Sequence, residues 1–279
     1  RAYFDDGAPL GAAANDECRI DSIAQSWSVL SGAARPERAR AAMDAMHARL
    51  VRPEPRVVAL LDPPFDQHGP NPGYIAGYVP GVRENGGQYT HGAIWSVMAF
   101  AALGERERAW SLLEMINPVR HVDSPSGMAR YKVEPYVMAA DVYSVAPHAG
   151  RGGWTWYTGS AGWMYRLIVE SLLGLRLETS IAGARLYVAP CLPDDWPGYS
   201  LEYRYRDTLY HIEVTQAEGA AGAHEGRVDH LLQPGDWIPL VDDRKPHYVM
   251  IRWSRPGATA DVAADDAAAH RSDESDTPA

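Results

Sequence analysis

Arg83-Glu84-Asn85-Gly86-Gly87-Gln88-Tyr89-Thr90-His91 and Gly152-Gly153-Trp154-Thr155-Trp156-Tyr157-Thr158-Gly159-Ser160-Ala161-Gly162-Trp163 decide how this 279-residue chain is read. Each is a glycine-loosened, aromatic and polar segment that runs straight into an apolar helical pattern: His-Gly-Ala-Ile-Trp-Ser-Val-Met-Ala-Phe after Thr90, and Gly-Ser-Ala-Gly-Trp-Met-Tyr-Arg-Leu-Ile-Val after Thr158. The first N–H groups of a helix have no internal partner and lie at its positive dipole end, so phosphate binds there readily. Thr90 and Thr158 are the expected N-caps. Either segment taken alone also fits an ordinary capped helix behind a glycine-bearing loop.

Outward from these stretches, helical patterns are expected at roughly 21–31, 36–50, 91–103, 105–116, 134–145 and 159–173. Gly32, Gly104 and Gly174 are credible stops, and Pro36 and Pro135 stand where a first helical turn tolerates proline. Glu134 and Asp141, seven residues apart on the helix expected at 134–145, would share one face.

Beyond Leu175 the pattern becomes short and alternating: Ala184-Arg-Leu-Tyr-Val-Ala189, Leu201-Glu-Tyr-Arg-Tyr-Arg206, Leu209-Tyr-His-Ile-Glu-Val-Thr215 and His247-Tyr-Val-Met-Ile-Arg-Trp253. Period-two alternation between turn residues predicts antiparallel strands in a β-sandwich-like module. Residues 256–279, rich in Ala, Asp, Ser, Glu and Thr without apolar periodicity, are expected to form a disordered acidic tail.

Composition narrows the partners. A formal charge of −10 without a basic run argues against nucleic acid. No stretch reaches the roughly 18 apolar residues of a membrane span, so the chain is expected to be soluble, with the cytoplasm as default location. Cys18 and Cys191 form no metal or redox spacing, and no metal is expected. The 15 tyrosines and 9 tryptophans against 3 phenylalanines favour rings with a flat apolar face and a polar edge, which suit sugars and also occur in ordinary cores.

Four segments carry a resemblance, in order along the chain: Asn15-Asp16-Glu17-Cys18-Arg19-Ile20-Asp21-Ser22-Ile23-Ala24-Gln25-Ser26-Trp27, then Pro80-Gly81-Val82 with the first stretch quoted above, then Glu134-Pro135-Tyr136-Val137, then the second quoted stretch. Together they resemble glycoside hydrolase family 94, the inverting phosphorylases of β-linked glucosides. The nearest likeness is to the C-terminal region of cyclic β-1,2-glucan synthases and to 1,2-β-oligoglucan phosphorylases. The fold this implies is mainly α followed by β. Residues 1–175 would form the C-terminal half of an (α/α)6 catalytic barrel, and 176–255 a small antiparallel, jelly-roll-like β-sandwich.

The resemblance also implies the chemistry. An inverting phosphorylase needs one acid to protonate the departing glycosidic oxygen, while phosphate attacks the anomeric carbon. Inorganic phosphate is then a co-substrate and no cofactor is needed. His91, Thr158 and Gly159 would hold the phosphate. Glu84 would contact sugar at the scissile bond, with Arg83, Gln88, Glu134, Trp154, Trp156 and Tyr157 as further sugar contacts. A catalytic Glu134–Asp141 pair is the less favoured reading, and the aromatic residues serve a core equally well. The family's general-acid aspartate, in a Trp-Asn-Asp motif, is expected upstream of Arg1, so the chain is expected to be part of a longer protein and inactive by itself. Homodimers are common in the family, and the parent protein could be anchored to an inner membrane through regions absent here. Two alternatives stay open: a non-catalytic carbohydrate-binding remnant, and an (α/α)-barrel glycoside hydrolase using Glu84 and Glu134.

Overall fold

The computed structural model describes residues 2–66, 71–181, 183–217, 224–233 and 235–254. The chain divides into two compact units, Arg1–Leu172 and Leu173–Ala279. The acidic tail expected at 256–279 lies outside the described residues.

The first unit is helical at its centre. Its helices are α1 (Ser22–Leu30), α2 (Pro36–Leu50), α3 (Thr90–Ala102), α4 (Arg106–Ile116), α5 (Pro118–His121), α6 (Pro125–Tyr131) and α7 (Thr158–Arg166), the last continuing as a π-helical turn over Leu167–Leu172. α3 is apolar nearly all round, and such a helix has to be surrounded. Accordingly α1, α2, α4, α7 and the π turn all pack on it, and Ala93, Ile94, Val97, Ala99 and Phe100 are buried. From α2 the stripe Ala39, Met43, Met46 and Leu50 faces the core, and α4 contributes Ala109, Leu112, Leu113 and Ile116. α1 approaches α3 through small residues: Ser26 Oγ lies 3.0 Å from Ser96 Oγ and donates to the Ser22 carbonyl at 2.7 Å. Asp21 caps α1, its carboxylate accepting from the Ile23 and Ala24 N–H groups at 2.7 and 3.0 Å.

Residues 134–145 are not a helix. They pass through a turn at 135–136 and lead into the short strand β2 (Asp141–Val142), paired antiparallel to β1 (Gln88–Tyr89). The Ala140 N–H donates to the Trp154 carbonyl, and Gly153 and Tyr143 N–H groups bond to Asp141 and Arg151 carbonyls. A short apolar run such as Val137-Met-Ala-Ala-Asp-Val142 fits a buried strand as well as a buried helix, and these long-range pairings decide between them. Glu134 and Asp141 therefore share no helical face. Asp141 is buried, whereas Glu134 is partly exposed.

The second unit holds two sheets. β3 (Leu175–Ser180), β4 (Gly183–Val188) and, later in the chain, Trp237–Leu240 form a three-stranded antiparallel sheet with β4 central. With β5 (Gly198–Tyr205), β6 (Thr208–Ala217), β7 (His224–Val228), β8 (Leu231–Gln233), β9 (Trp237–Leu240) and β10 (His247–Ser254) so labelled, the five-stranded sheet runs β5-β6-β10-β7-β8. Alternation is clean: Tyr210, Ile212 and Val214 of β6, Val249 and Ile251 of β10, and Ala184, Leu186 and Val188 of β4 are buried. The Tyr210 hydroxyl donates to the Val241 carbonyl at 3.0 Å and accepts the Val241 N–H at 2.7 Å, tying the five-stranded sheet to the end of β9. The sheets are not wholly antiparallel, because β6 and β10 run parallel in register from Tyr210 opposite His247 to Ala217 opposite Ser254. Cys18 and Cys191 are buried thiols that form no disulfide, one in each unit. No helix of the described residues is long and apolar enough to cross a membrane.

Candidate active site

The two glycine-rich stretches meet. β1 delivers Tyr89, Thr90 and His91 to the start of α3, and the loop after β2 delivers Tyr157, Thr158 and Gly159 to the start of α7. The Tyr89 and Tyr157 hydroxyls lie 3.1 Å apart. The His91 ring stacks on Tyr89 at 5.4 Å and meets Tyr157 edge-on at 5.5 Å. A Cβ added to Gly159 would stand 2.7 Å from His91 Nε2, so the absence of a side chain there lets the imidazole face the beginning of α7.

The two helix ends are not equivalent, and neither threonine is the cap expected of it. Tyr89 and Tyr157 occupy the cap positions without side-chain cap bonds, and Thr90 and Thr158 are the first helical residues. At α3 the Thr90 N–H donates to the Ala140 carbonyl at 2.9 Å, and Thr90 Oγ1 is buried without a partner. At α7, Thr158 and Gly159 are exposed. The open, positive helix end is therefore that of α7, and α3 contributes the His91 side chain. Burial holds the His91 pKa below the usual histidine value, which keeps the ring neutral near pH 7. Its Nδ1 is buried without a hydrogen-bond partner, as is the indole nitrogen of Trp95, whose ring lies 6.0 Å from His91.

Asp141 joins the two stretches. It is 1% exposed, its Oδ2 accepting the Arg83 N–H at 3.2 Å and its Oδ1 the Trp154 N–H at 3.3 Å. Burial raises its pKa, and those two N–H groups with the Arg83 charge work in the opposite direction. A Cβ on Gly153 would overlap the carboxylate, so glycine is needed there. Beside Asp141, the Arg83 guanidinium and the Glu84 carboxylate form an ion pair at 3.5 Å, too long and misaligned for a hydrogen bond, and Glu84 Oε2 is left without another partner.

The other sequence candidates divide. Gln88 is withdrawn from the sugar contacts: its side chain is buried and its Oε1 accepts the Val58 N–H at 3.0 Å. Trp154 and Trp156 are 69% and 65% exposed, enough to leave ring faces free for a ligand and to remove them from the core. Trp156 lies 6.1 Å from the exposed Tyr136. The Glu134 pKa is lowered, first by its own backbone N–H and then by the Thr155 and Trp156 side chains. Tyr89, Tyr136 and Trp95 are additions from the structure, the first two from inside quoted motifs. Asp141, weighed in the sequence only as a partner of Glu134, takes a different place here, and nothing local signalled it because its partners are 58 and 13 positions away.

Comparison with known proteins follows the same division. Residues 1–174 match the glycosyl hydrolase 94 superfamily, catalytic domain, and residues 180–222 match the C-terminal domain of glycosyl hydrolase family 65. The chain is 56% identical over 216 residues to the cyclic beta-(1,2)-glucan synthase NdvB of Rhizobium meliloti, covering 77% of this chain and 8% of that protein. It is 29% identical over 253 residues to a solabiose phosphorylase of Paenibacillus borealis, covering 90% of this chain and 32% of that enzyme. A 1,2-beta-oligoglucan phosphorylase of Listeria innocua is 29% identical over 147 residues, 48% of this chain and 13% of that enzyme. The synthase resemblance is thus strong, and the oligoglucan enzyme stands no nearer than the solabiose enzyme. On the match over residues 1–174 of 279, the chain belongs to the glycosyl hydrolase 94 superfamily.

Proposed function

We propose that this chain is the phosphate-holding and sugar-contacting part of an inverting β-glucoside phosphorylase or cyclic β-1,2-glucan synthase. The supporting observation is the seat made by His91 and the open start of α7, with His91 Nε2 facing Gly159. Neutral His91 donates from one ring nitrogen to a phosphate oxygen. The Thr158 hydroxyl and the first N–H groups of α7 donate to others, at the positive end of the helix. Phosphate held there attacks the anomeric carbon of a β-glucoside, its oxygen forming the new bond as the glycosidic oxygen leaves with a proton from a general acid. The product is α-glucose 1-phosphate.

In this reading Glu84 and Arg83 bind hydroxyls at the scissile bond. Trp154, Trp156 and Tyr157 offer ring faces, and Glu134 is a further sugar contact. Residues 1–175 are, in this reading, the C-terminal half of an (α/α)6 barrel. The general acid belongs to a Trp-Asn-Asp motif that these 279 residues do not contain. Inorganic phosphate is the co-substrate, and His91, Thr158 and Gly159 need no metal to hold it. Incubation of the chain with β-1,2-glucooligosaccharides and phosphate, followed by assay of glucose 1-phosphate, is expected to give negligible release. Robust release would overturn the placement of the acid, and phosphate-independent cleavage would favour a hydrolase using Glu84 and Glu134.

A further inference from the structure

A polar cavity of about 180 Å³ lies between loop residues Glu54, Arg56, Asp123 and Ser124 and the α6 residues Ser126 and Arg130. His121 also lines it. This histidine is 94% removed from solvent, 6% of its surface remaining exposed, and its Nε2 is buried without a hydrogen-bond partner. Its ring is fixed, stacked on Tyr131 at 4.6 Å and 5°. Burying a ring nitrogen without a partner is costly, so a native structure that keeps one invites the question of what completes it.

The surroundings answer in charge and in shape. The Arg56 guanidinium is anchored by donation to the Arg120 carbonyl at 2.8 Å and the Glu114 carbonyl at 3.3 Å, which spreads its fork in one orientation. Its ion pair with Asp123 is long, 3.8 Å. Arg130 contacts Glu54 at 3.2 Å, but Glu54 is 83% exposed in its side chain and its hold is that of a surface pair. Both cations can exchange these partners for a stronger acceptor, since charge-assisted bonds to phosphate are the strong ones. The Ser124 and Ser126 hydroxyls, hydrogen-bonded to each other at 3.3 Å, stand on the same wall; Ser124 Oγ also accepts the Gly127 N–H at 3.1 Å, and the pair has one hydroxyl proton left to donate. Burial pushes the His121 pKa down to about 4, Arg56 and Arg130 adding to the effect and Asp123 opposing it. The ring is therefore neutral near pH 7, and its unpartnered nitrogen can carry the proton as a donor.

We propose that this cavity is a second oxyanion site, which takes inorganic phosphate or the phosphoryl group of a sugar phosphate on Arg56, Arg130, the Ser124–Ser126 hydroxyl pair and His121. The chemistry is stated by these side chains and stands whether or not the His91 seat binds phosphate. Its test is a titration of the full chain in the His91→Ala background, following the His121 ring C–H signals by NMR, first with inorganic phosphate and then with glucose 1-phosphate. The His121 signals are expected to shift and saturate, and Arg130→Gln and Ser126→Ala, both at the rim, should each weaken the response about tenfold, the loss of one charge-assisted or neutral donor. Tighter binding of glucose 1-phosphate would identify a sugar phosphate as the ligand, and equal binding the free ion. A His121 signal indifferent to both, or an unchanged response in Arg130→Gln with the remaining histidine signals in their native positions, would overturn the proposal.

Discussion

Asp141 commits both carboxylate oxygens to backbone N–H groups from two separate loops while almost wholly buried. Removing that carboxylate strands two donors in a dry site, at a cost of about 1–3 kcal/mol each. Asp141→Ala is therefore expected to lower unfolding stability by about 3 kcal/mol in urea denaturation. Gly153→Ala should destabilise as well, since its Cβ would overlap the same carboxylate. A second residue-scale prediction concerns His247, whose Nδ1 and Nε2 lie 2.6 and 3.1 Å from carboxylate oxygens of Asp229 and Asp243. Burial works against its charge, but the two aspartates raise its pKa above the usual 6.5. A raised histidine pKa contributes stability that is full below 6.5 and is lost as pH rises through the folded value. The Asp229 and Asp243 pKa values are lowered from 3.8, chiefly by the His247 bond for Asp229 and the Lys245 N–H for Asp243. Their contribution is present above 3.8 and lost as pH falls through the lower folded values. The clamp is thus strongest between about pH 4 and 6.5. The melting-temperature gap between the parent chain and His247→Gln should be wider at pH 5.5 than at pH 8.5, and an equal gap would rule out the clamp.

At the scale of elements, the cores explain both what the sequence disclosed and what it hid. Phe100 is fully buried on α3 among α2 and α4 side chains, and Leu186 is fully buried on β4. Phe100→Ala should cost about 3–5 kcal/mol and Leu186→Ala about 2–5 kcal/mol, measured by chemical denaturation. Helices α2, α3, α4 and α7 were legible because a helix that packs on one face, or on all, writes that into a local period. α5 and α6 were not among the expected helices, being only four and seven residues long, although Asn117-Pro118 and Ser124-Pro125 supply their caps and first turns, the Asn117 and Ser124 side chains accepting from the Val119 and Gly127 N–H groups. Residues 134–145 were misread because their apolar run has no length or period that separates strand from helix, and their pairing partners lie at 88–89 and 151–154. The parallel pairing of β6 with β10 was hidden for the same reason: strand direction is set across a separation of more than thirty residues. In the site, His91, Thr158 and Gly159 could be named from their motifs. The burial of Gln88 and the bridging by Asp141 depend on contacts that no local pattern encodes.

For the whole molecule, each unit has its own core, α3-centred in one and between β-sheets in the other. Leu186→Ala is accordingly expected to raise amide exchange through residues 175–254 and leave α2 and α3 protected, and a uniform rise across both units would contradict separate cores. The first unit also brings together two motifs about seventy residues apart, so that His91 faces the start of α7. That convergence is the central claim, and phosphate is the ligand it predicts. The most direct measurement is an NMR titration of the His91 ring signals with millimolar inorganic phosphate, in the parent chain and in Gly159→Ala, whose added methyl would stand 2.7 Å from His91 Nε2. The His91 signals should shift with phosphate in the parent and lose that response in Gly159→Ala with the other histidine signals in place; no shift in the parent, or the same shift in both, would contradict it.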